Sequence, residues 1–108
     1  MRDKLTEGLA ELAATAAYVK AGRQFETLAL ETLTSRYLIA AETAVAAPTL
    51  PTIRLIDDLT AEFELRGLSP PTWVFAGHKV ELAALRERAV AAACEEFEEI
   101  MRQRWKSD

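Results

Sequence analysis

The side chains best suited to chemistry in this 108-residue chain are carboxylates, and they fall in two clusters. Four glutamates lie in the segment 95–99, and Asp57, Asp58 and Glu62 lie close together further upstream. Carboxylates three or four residues apart on one helix can share a metal ion, so each cluster is a candidate acidic metal site. Such a site needs carboxylates from a second helix, and its di-iron form also needs paired histidines. Because His78 is the only histidine, we interpret both clusters as solvated acidic faces and expect no bound metal.

The chain has no catalytic base within reach of a nucleophilic side chain. Cys94 is the only cysteine, and His78 precedes it by about sixteen residues on one predicted helix, which corresponds to roughly 24 Å. The surrounding alanines favour Cys94 as a small buried hydrophobic residue. The four glycines are isolated, so the chain has no glycine-rich phosphate loop. We therefore predict a protein that is not an enzyme and has no cofactor, and rank an acidic metal-dependent enzyme third.

Composition narrows the class of protein further. The length suits one domain with a modest core, and half of the residues are hydrophobic although only 7% are aromatic. The net charge of −4 disfavours nucleic acid as a partner. The sequence has no stretch of about 18 apolar residues and no signal-peptide pattern. We expect a cytoplasmic protein without a membrane segment.

The N-terminal half must form helix. Leu5, Leu9 and Leu12 follow spacings of four and three, as expected for an apolar seam that packs on another helix. Gly22 leaves two possible structures for the segment 1–46. Either it ends a first helix and the chain forms a hairpin, in which Phe25 turns inward, or one long helix continues to residue 46 and needs a partner chain to cover it. We favour the hairpin.

The remaining elements follow from prolines, glycines and caps. Two prolines mark the linker 47–52, and Thr52 is the predicted N-cap of a helix over 53–66, which Gly67 ends. A short helix is predicted over 69–76, with Ser69 as its N-cap, and a long C-terminal helix over 78–106. The expected fold is a small all-α bundle of three to four main helices and one short helix, completed by oligomerisation.

One segment resembles a known DNA-binding motif. Leu59-Thr60-Ala61-Glu62 followed by Arg66-Gly67-Leu68-Ser69 is similar to the helix-turn-helix core of many DNA-binding regulators, over about twenty residues. The resemblance implies a recognition helix near Trp73, with Arg66, His78 and Lys79 as possible DNA contacts. Base edges are read by polar side chains, whereas this helix offers Trp73 and Phe75, so we predict that the motif serves packing.

These observations favour a function based on contacts between macromolecules. Our first hypothesis is a homo-oligomeric adaptor or regulator that binds another protein. The alternative is a DNA-binding or DNA-packaging accessory of the kind found in viruses or mobile elements, built on a helix-turn-helix. The residues predicted to contact protein are apolar and lie outside the polar faces: Leu5, Leu9, Leu12, Trp73, Phe75 and Trp105.

Overall fold

A computed structural model describes residues 13–106 of the chain. Within that part the protein consists of five helices and contains no strand, which confirms the predicted all-α fold. The helices are α1 over 13–20, α2 over Leu30–Ala46, α3 over Leu50–Leu65, α4 over Trp73–Gly77 and α5 over Leu82–Lys106. None of the helices in this range is long and apolar enough to cross a membrane.

The first helix ends before Gly22, as the hairpin interpretation predicted. Gly22 has a φ of 107° and Arg23 a φ of 50°, two consecutive left-handed residues that an α-helix cannot accommodate. Phe25 is buried in the turn that follows, as expected for a hairpin. The second helix begins at Leu30, eight residues after Gly22, because the intervening residues form turns.

The proline-rich linker is shorter than predicted. Helix α3 begins at Leu50, and the Thr49 side chain accepts a hydrogen bond from the Thr52 backbone N–H at 3.3 Å. The predicted cap, Thr52, is therefore inside the first turn. Pro51 is tolerated beside it because the first turn of a helix does not use the missing N–H. At the other end Gly67 (φ 72°) closes α3 and Leu68 N–H donates to the Phe63 carbonyl, a Schellman arrangement.

The two later helices also start downstream of their predicted positions. The short helix is Trp73–Gly77 and not 69–76, its N-cap is Thr72, and no side chain caps it. Helix α5 begins at Leu82 and not at residue 78, because Lys79 has a left-handed φ of 55° and ends the preceding turn. Both shifts place His78 in a connection between helices.

The core lies where α2 packs against α3 and α4, and α3 packs against the start of α5. Tyr37 is its centre: Phe63 and Phe75 meet the ring edge-on, with centroids 5.9 Å and 6.2 Å away. The buried side chains of the core are hydrophobic, and those of α2 and α3 are Leu33, Tyr37, Ala40, Ala41, Ala44, Ile53, Ile56, Leu59, Ala61 and Phe63.

Helix α5 is only partly inside this core. It has 25 residues, a length of roughly 37 Å at the standard helical rise, yet only Leu85 and Ala89 are buried. Arg86 pairs with Asp57 in the middle of α3, and residues Val90 to Phe97 pass the start of α3 at Leu50, so the two helices run antiparallel. The Cα radius of gyration is 16.1 Å, above the roughly 13 Å expected for a compact domain of this length. The C-terminal turns of α5 therefore extend past the bundle.

Candidate functional site

Two features of the structure could carry function, and the first is a buried carboxylate. Glu62 lies on α3 and is fully buried. Its Oε1 accepts from the Tyr18 hydroxyl at 2.8 Å and from Arg23 Nε at 3.0 Å. Its Oε2 accepts from a terminal nitrogen of Arg23 at 3.0 Å and from Arg66 Nε at 2.7 Å. We call Tyr18, Arg23, Glu62 and Arg66 the Glu62 cluster.

The charge balance of the cluster keeps Glu62 ionised. Burial alone would raise the pKa of Glu62, but hydrogen bonds from Arg23, Arg66 and Tyr18 outweigh that effect and bring the pKa to about 2. Burial and the hydrogen bond to Glu62 raise the pKa of Tyr18 to about 12. Each carboxylate oxygen already accepts two hydrogen bonds, so neither oxygen is free to bind a metal ion or a substrate.

The cluster holds the turn between α1 and α2 against the end of α3. A terminal nitrogen of Arg66 donates to the carbonyls of Phe25 at 3.0 Å, Glu26 at 3.3 Å and Leu28 at 2.7 Å. The Tyr18 hydroxyl in turn accepts from the Phe25 backbone N–H at 3.0 Å. Arg66 is thus held by contacts within the chain, which disfavours the DNA contact that the alternative hypothesis assigned to it.

The interpretation of Asp57, Asp58 and Glu62 as one exposed acidic edge is also wrong for Glu62. The sequence contained one usable signal, because Arg66 follows Glu62 by four residues on the same helix. No pattern in the sequence indicated Tyr18 and Arg23 as partners of Glu62. Tyr18 lies in α1 and Arg23 in the turn that follows, and the path of that turn could not be derived from residue spacing.

The other carboxylates do not form a metal site within residues 13–106. Asp57 accepts two hydrogen bonds from Arg86, at 2.7 Å and 2.8 Å. Asp58 accepts one from Gln24 at 3.4 Å, and burial raises its pKa. The glutamates of segment 95–99 are exposed on α5, and no group of three potential metal ligands occurs in this part of the chain.

Cys94 and His78, which are too far apart in sequence to form a catalytic pair, lie on different elements of the fold. Cys94 is exposed on α5, so its predicted burial among alanines is wrong. Cys94 lies beside the open groove where α5 passes Leu50, and the described residues leave its side chain uncovered. His78 is exposed in the connection after α4.

The segment that resembles a helix-turn-helix separates its two aromatic residues. Phe75 is 4% exposed and packs against Tyr37 in the core, so its predicted role in docking is wrong. Trp73 is 65% exposed, two residues earlier on the same short helix. His78 and Lys79 are exposed after it, but the helix itself is only five residues long. A recognition helix of that length offers little surface to a groove of DNA.

The second feature is an exposed apolar face on α5, which we call the α5 stripe. Its residues follow helical spacings of three and four and are Val90, Ala93, Phe97, Ile100, Met101 and Trp105. Phe97, Ile100 and Trp105 are exposed by 64%, 58% and 75%. Where the stripe passes the start of α3, Leu50, Val90 and Phe97 line a shallow groove of about 350 Å³.

The α5 stripe contains one of the predicted interaction residues, Trp105. The other exposed one, Trp73, lies on α4 and is separate in sequence. Leu5, Leu9 and Leu12 lie outside the described residues.

Comparisons with protein-family models, with curated proteins and with solved structures find no match to this chain.

Proposed function

We propose that this chain is a non-enzymatic helical interaction module, a homo-oligomeric adaptor or regulator that docks through the α5 stripe. The observation that carries the proposal is the exposure of three large side chains, Phe97, Ile100 and Trp105, on one face of one helix. Single exposed hydrophobic residues are normal on protein surfaces, whereas a contiguous apolar face marks an interaction site.

The types of side chain on the stripe support the same proposal. Tryptophan and phenylalanine contribute large apolar areas, and tryptophan is enriched among the residues that dominate binding energy at interfaces. Charged side chains flank the stripe, with Glu96 on one side of Phe97 and Glu98 on the other. An apolar centre with a charged rim is the usual anatomy of a protein interface.

The state of the carboxylates supports the non-enzymatic part of the proposal. The oxygens of Glu62 are fully occupied by donors from its own chain, and both oxygens of Asp57 are bound by Arg86. A carboxylate held in this way is poorly suited to transfer protons or bind a metal ion, because each task needs a free lone pair.

Sedimentation equilibrium on the purified protein at tens of micromolar tests the proposal. We expect a mass above that of the 12.0 kDa chain. Phe97→Glu should weaken the association by at least tenfold in Kd, because it places a charge at the centre of the apolar contact.

Ile39→Glu provides the matched control. Ile39 lies on α2 and is 64% exposed, the same fraction as Phe97. The control should associate like the unmodified protein. A clean 12.0 kDa monomer at every concentration, or equal association of the unmodified protein and Phe97→Glu, would contradict the proposal.

A further inference from the structure

The last turns of α5 carry an acidic block followed by a basic block. The acidic block is Glu95, Glu96, Glu98 and Glu99, and the basic block is Arg102, Arg104 and Lys106. All seven side chains are exposed. Only Arg102 bridges the two blocks within residues 13–106, at 3.9 Å from Glu98 and 3.7 Å from Glu99. The other charged side chains of the two blocks form no ion pair in that part of the chain.

We propose that the α5 stripe binds the α5 stripe of a second copy of this chain in antiparallel orientation, with the helices crossing between Ile100 and Met101. This inference rests on the proposed function and names the partner. The acidic block is centred on Phe97 and the basic block on Arg104. An antiparallel crossing midway between those centres places each acidic block beside the basic block of the other copy.

The charge pattern selects this orientation over the parallel one. In a parallel pair in register, each block would face its own kind, and juxtaposed like charges at an interface are unfavourable. In the antiparallel pair both block contacts are attractive, and the two-fold axis generates each contact twice.

The apolar residues fit the same arrangement. Ile100 and Met101 of the two copies meet at the crossing. Trp105 of the second copy lies one turn beyond the crossing, on the side of the groove lined by Leu50, Val90 and Phe97. An exposed tryptophan beside an open apolar groove is the pairing expected of an interface anchor and its pocket.

The exposed area predicts a weak dimer. Phe97 and Trp105 together leave on the order of 300 Å² exposed in each chain. With Ile100 and Met101 added, two copies could bury roughly 900 Å², just below the roughly 1,000 Å² of a stable specific interface and in the range of weak, transient contacts. Association at micromolar concentration is the expected regime.

A charge-reversal cycle on α5 tests the orientation. The first variant carries Glu96→Lys, the second carries Arg104→Glu, and the third carries both changes. Glu96 and Arg104 lie on the same side of the α5 stripe, so the proposed crossing brings Glu96 of one copy beside Arg104 of the other. The two sites are at least eight residues apart on the helix, about 12 Å, which exceeds the Debye length of about 8 Å at physiological ionic strength. Any strong coupling between them must therefore act between chains.

For the antiparallel dimer, each of the first two variants should raise the dimer Kd by about tenfold or more, measured by sedimentation equilibrium. The third variant restores opposite charges at both contacts, so its Kd should return to within about threefold of the unmodified protein. Far-ultraviolet circular dichroism on each variant checks that α5 stays helical. A Kd that is unchanged in the first two variants, or a third variant weaker than either, overturns the antiparallel arrangement.

Cys94 provides an independent test that needs no substitution. The antiparallel crossing separates the two Cys94 residues by roughly 20 Å along the helices. A disulfide requires Cα atoms within about 7 Å, so mild oxidation of the dimer should give no disulfide-linked species. Rapid formation of such a species would indicate a parallel pair and overturn the inference. If the dimer depends on Phe97 but fails the charge-reversal test or the disulfide test, the antiparallel arrangement is wrong and the proposed function stands. A monomer at all concentrations refutes both the arrangement and the proposed function.

Discussion

Glu62→Gln is the substitution that most directly tests the account of the fold, because it keeps the size of the side chain and removes its charge. The ordinary pKa of the carboxyl is 4.5, and the cluster brings it to about 2. A difference of about 2.5 in pKa corresponds to roughly 3 kcal/mol, since each unit is worth about 1.4 kcal/mol. The substitution removes the buried counter-charge of Arg23 and Arg66. Their side chains are 30% and 19% exposed, so hydration keeps the loss near the lower end of the about 3–5 kcal/mol typical of a broken buried pair.

The sign of the pH dependence follows from the same shift. The pKa of Glu62 is lower in the folded than in the unfolded state, so the ionised carboxylate stabilises the fold above the unfolded-state pKa. That stabilisation is lost as the pH falls from about 5 to about 2. Urea denaturation followed by circular dichroism should show a free energy of unfolding that declines by about 3 kcal/mol across this range.

The variant should differ from the unmodified protein in two respects. Glu62→Gln should be less stable by about 3 kcal/mol at pH 7, and its stability should change much less between pH 5 and pH 2. Glu64→Gln is the matched control, because it makes the same substitution at an exposed position of α3, and it should cost less than about 0.5 kcal/mol. If Glu62→Gln lost less than about 1 kcal/mol and kept the acid dependence of the unmodified protein, our account of the cluster would be wrong.

Three other predictions concern neighbouring parts of the molecule. Phe75→Ala should destabilise the fold by about 3–5 kcal/mol in urea denaturation, whereas Trp73→Ala, at an exposed position, should cost less than about 1 kcal/mol. Equal losses of stability in the two variants would contradict the assignment of Phe75 to the core. Burial raises the pKa of Tyr37, although the neighbouring Thr60 side chain lowers it in part. The buried hydroxyl of Tyr37 makes no hydrogen bond of ordinary geometry within residues 13–106. Tyr37→Phe should therefore raise the free energy of unfolding by about 1 kcal/mol, and a loss of stability would reveal a partner for the hydroxyl. Elemental analysis of the purified protein should find no stoichiometric transition metal, because carboxylates without histidine or thiolate ligands bind such ions weakly; one iron, manganese or zinc per chain would make the acidic segment 95–99 a metal site.

The apolar stripe of α5 could be predicted from the sequence, but its exposure could not. Ala93, Phe97 and Ile100 continue the spacing of three and four residues from the buried Leu85 and Ala89, so the spacing alone indicates one continuous apolar side. Whether a residue on that side is covered depends on where α3 begins. Helix α3 starts at Leu50, and the turns of α5 that pass beyond it have no neighbour among residues 13–106.

Local sequence determined the helical class of the protein and the main breaks in the chain. Proline and glycine act through the backbone of their own residues, so the break at Gly22 and the end of α3 at Gly67 could be predicted without knowledge of the rest of the fold. Helix starts were less predictable. Thr49 and Thr52 are both suitable N-cap residues near the start of α3, and local chemistry does not show which of them caps the helix.

The environment of Glu62 was decided by tertiary structure alone. In the sequence Glu62 is one carboxylate of an acidic group on an amphipathic helix, and such residues are usually solvated. Its burial depends on Tyr18 and Arg23, which precede it by 44 and 39 residues and reach it only because the chain reverses at Gly22. Helix propensity and apolar spacing act over a few residues, whereas the pairing of a buried charge depends on which distant segments the folded chain brings together.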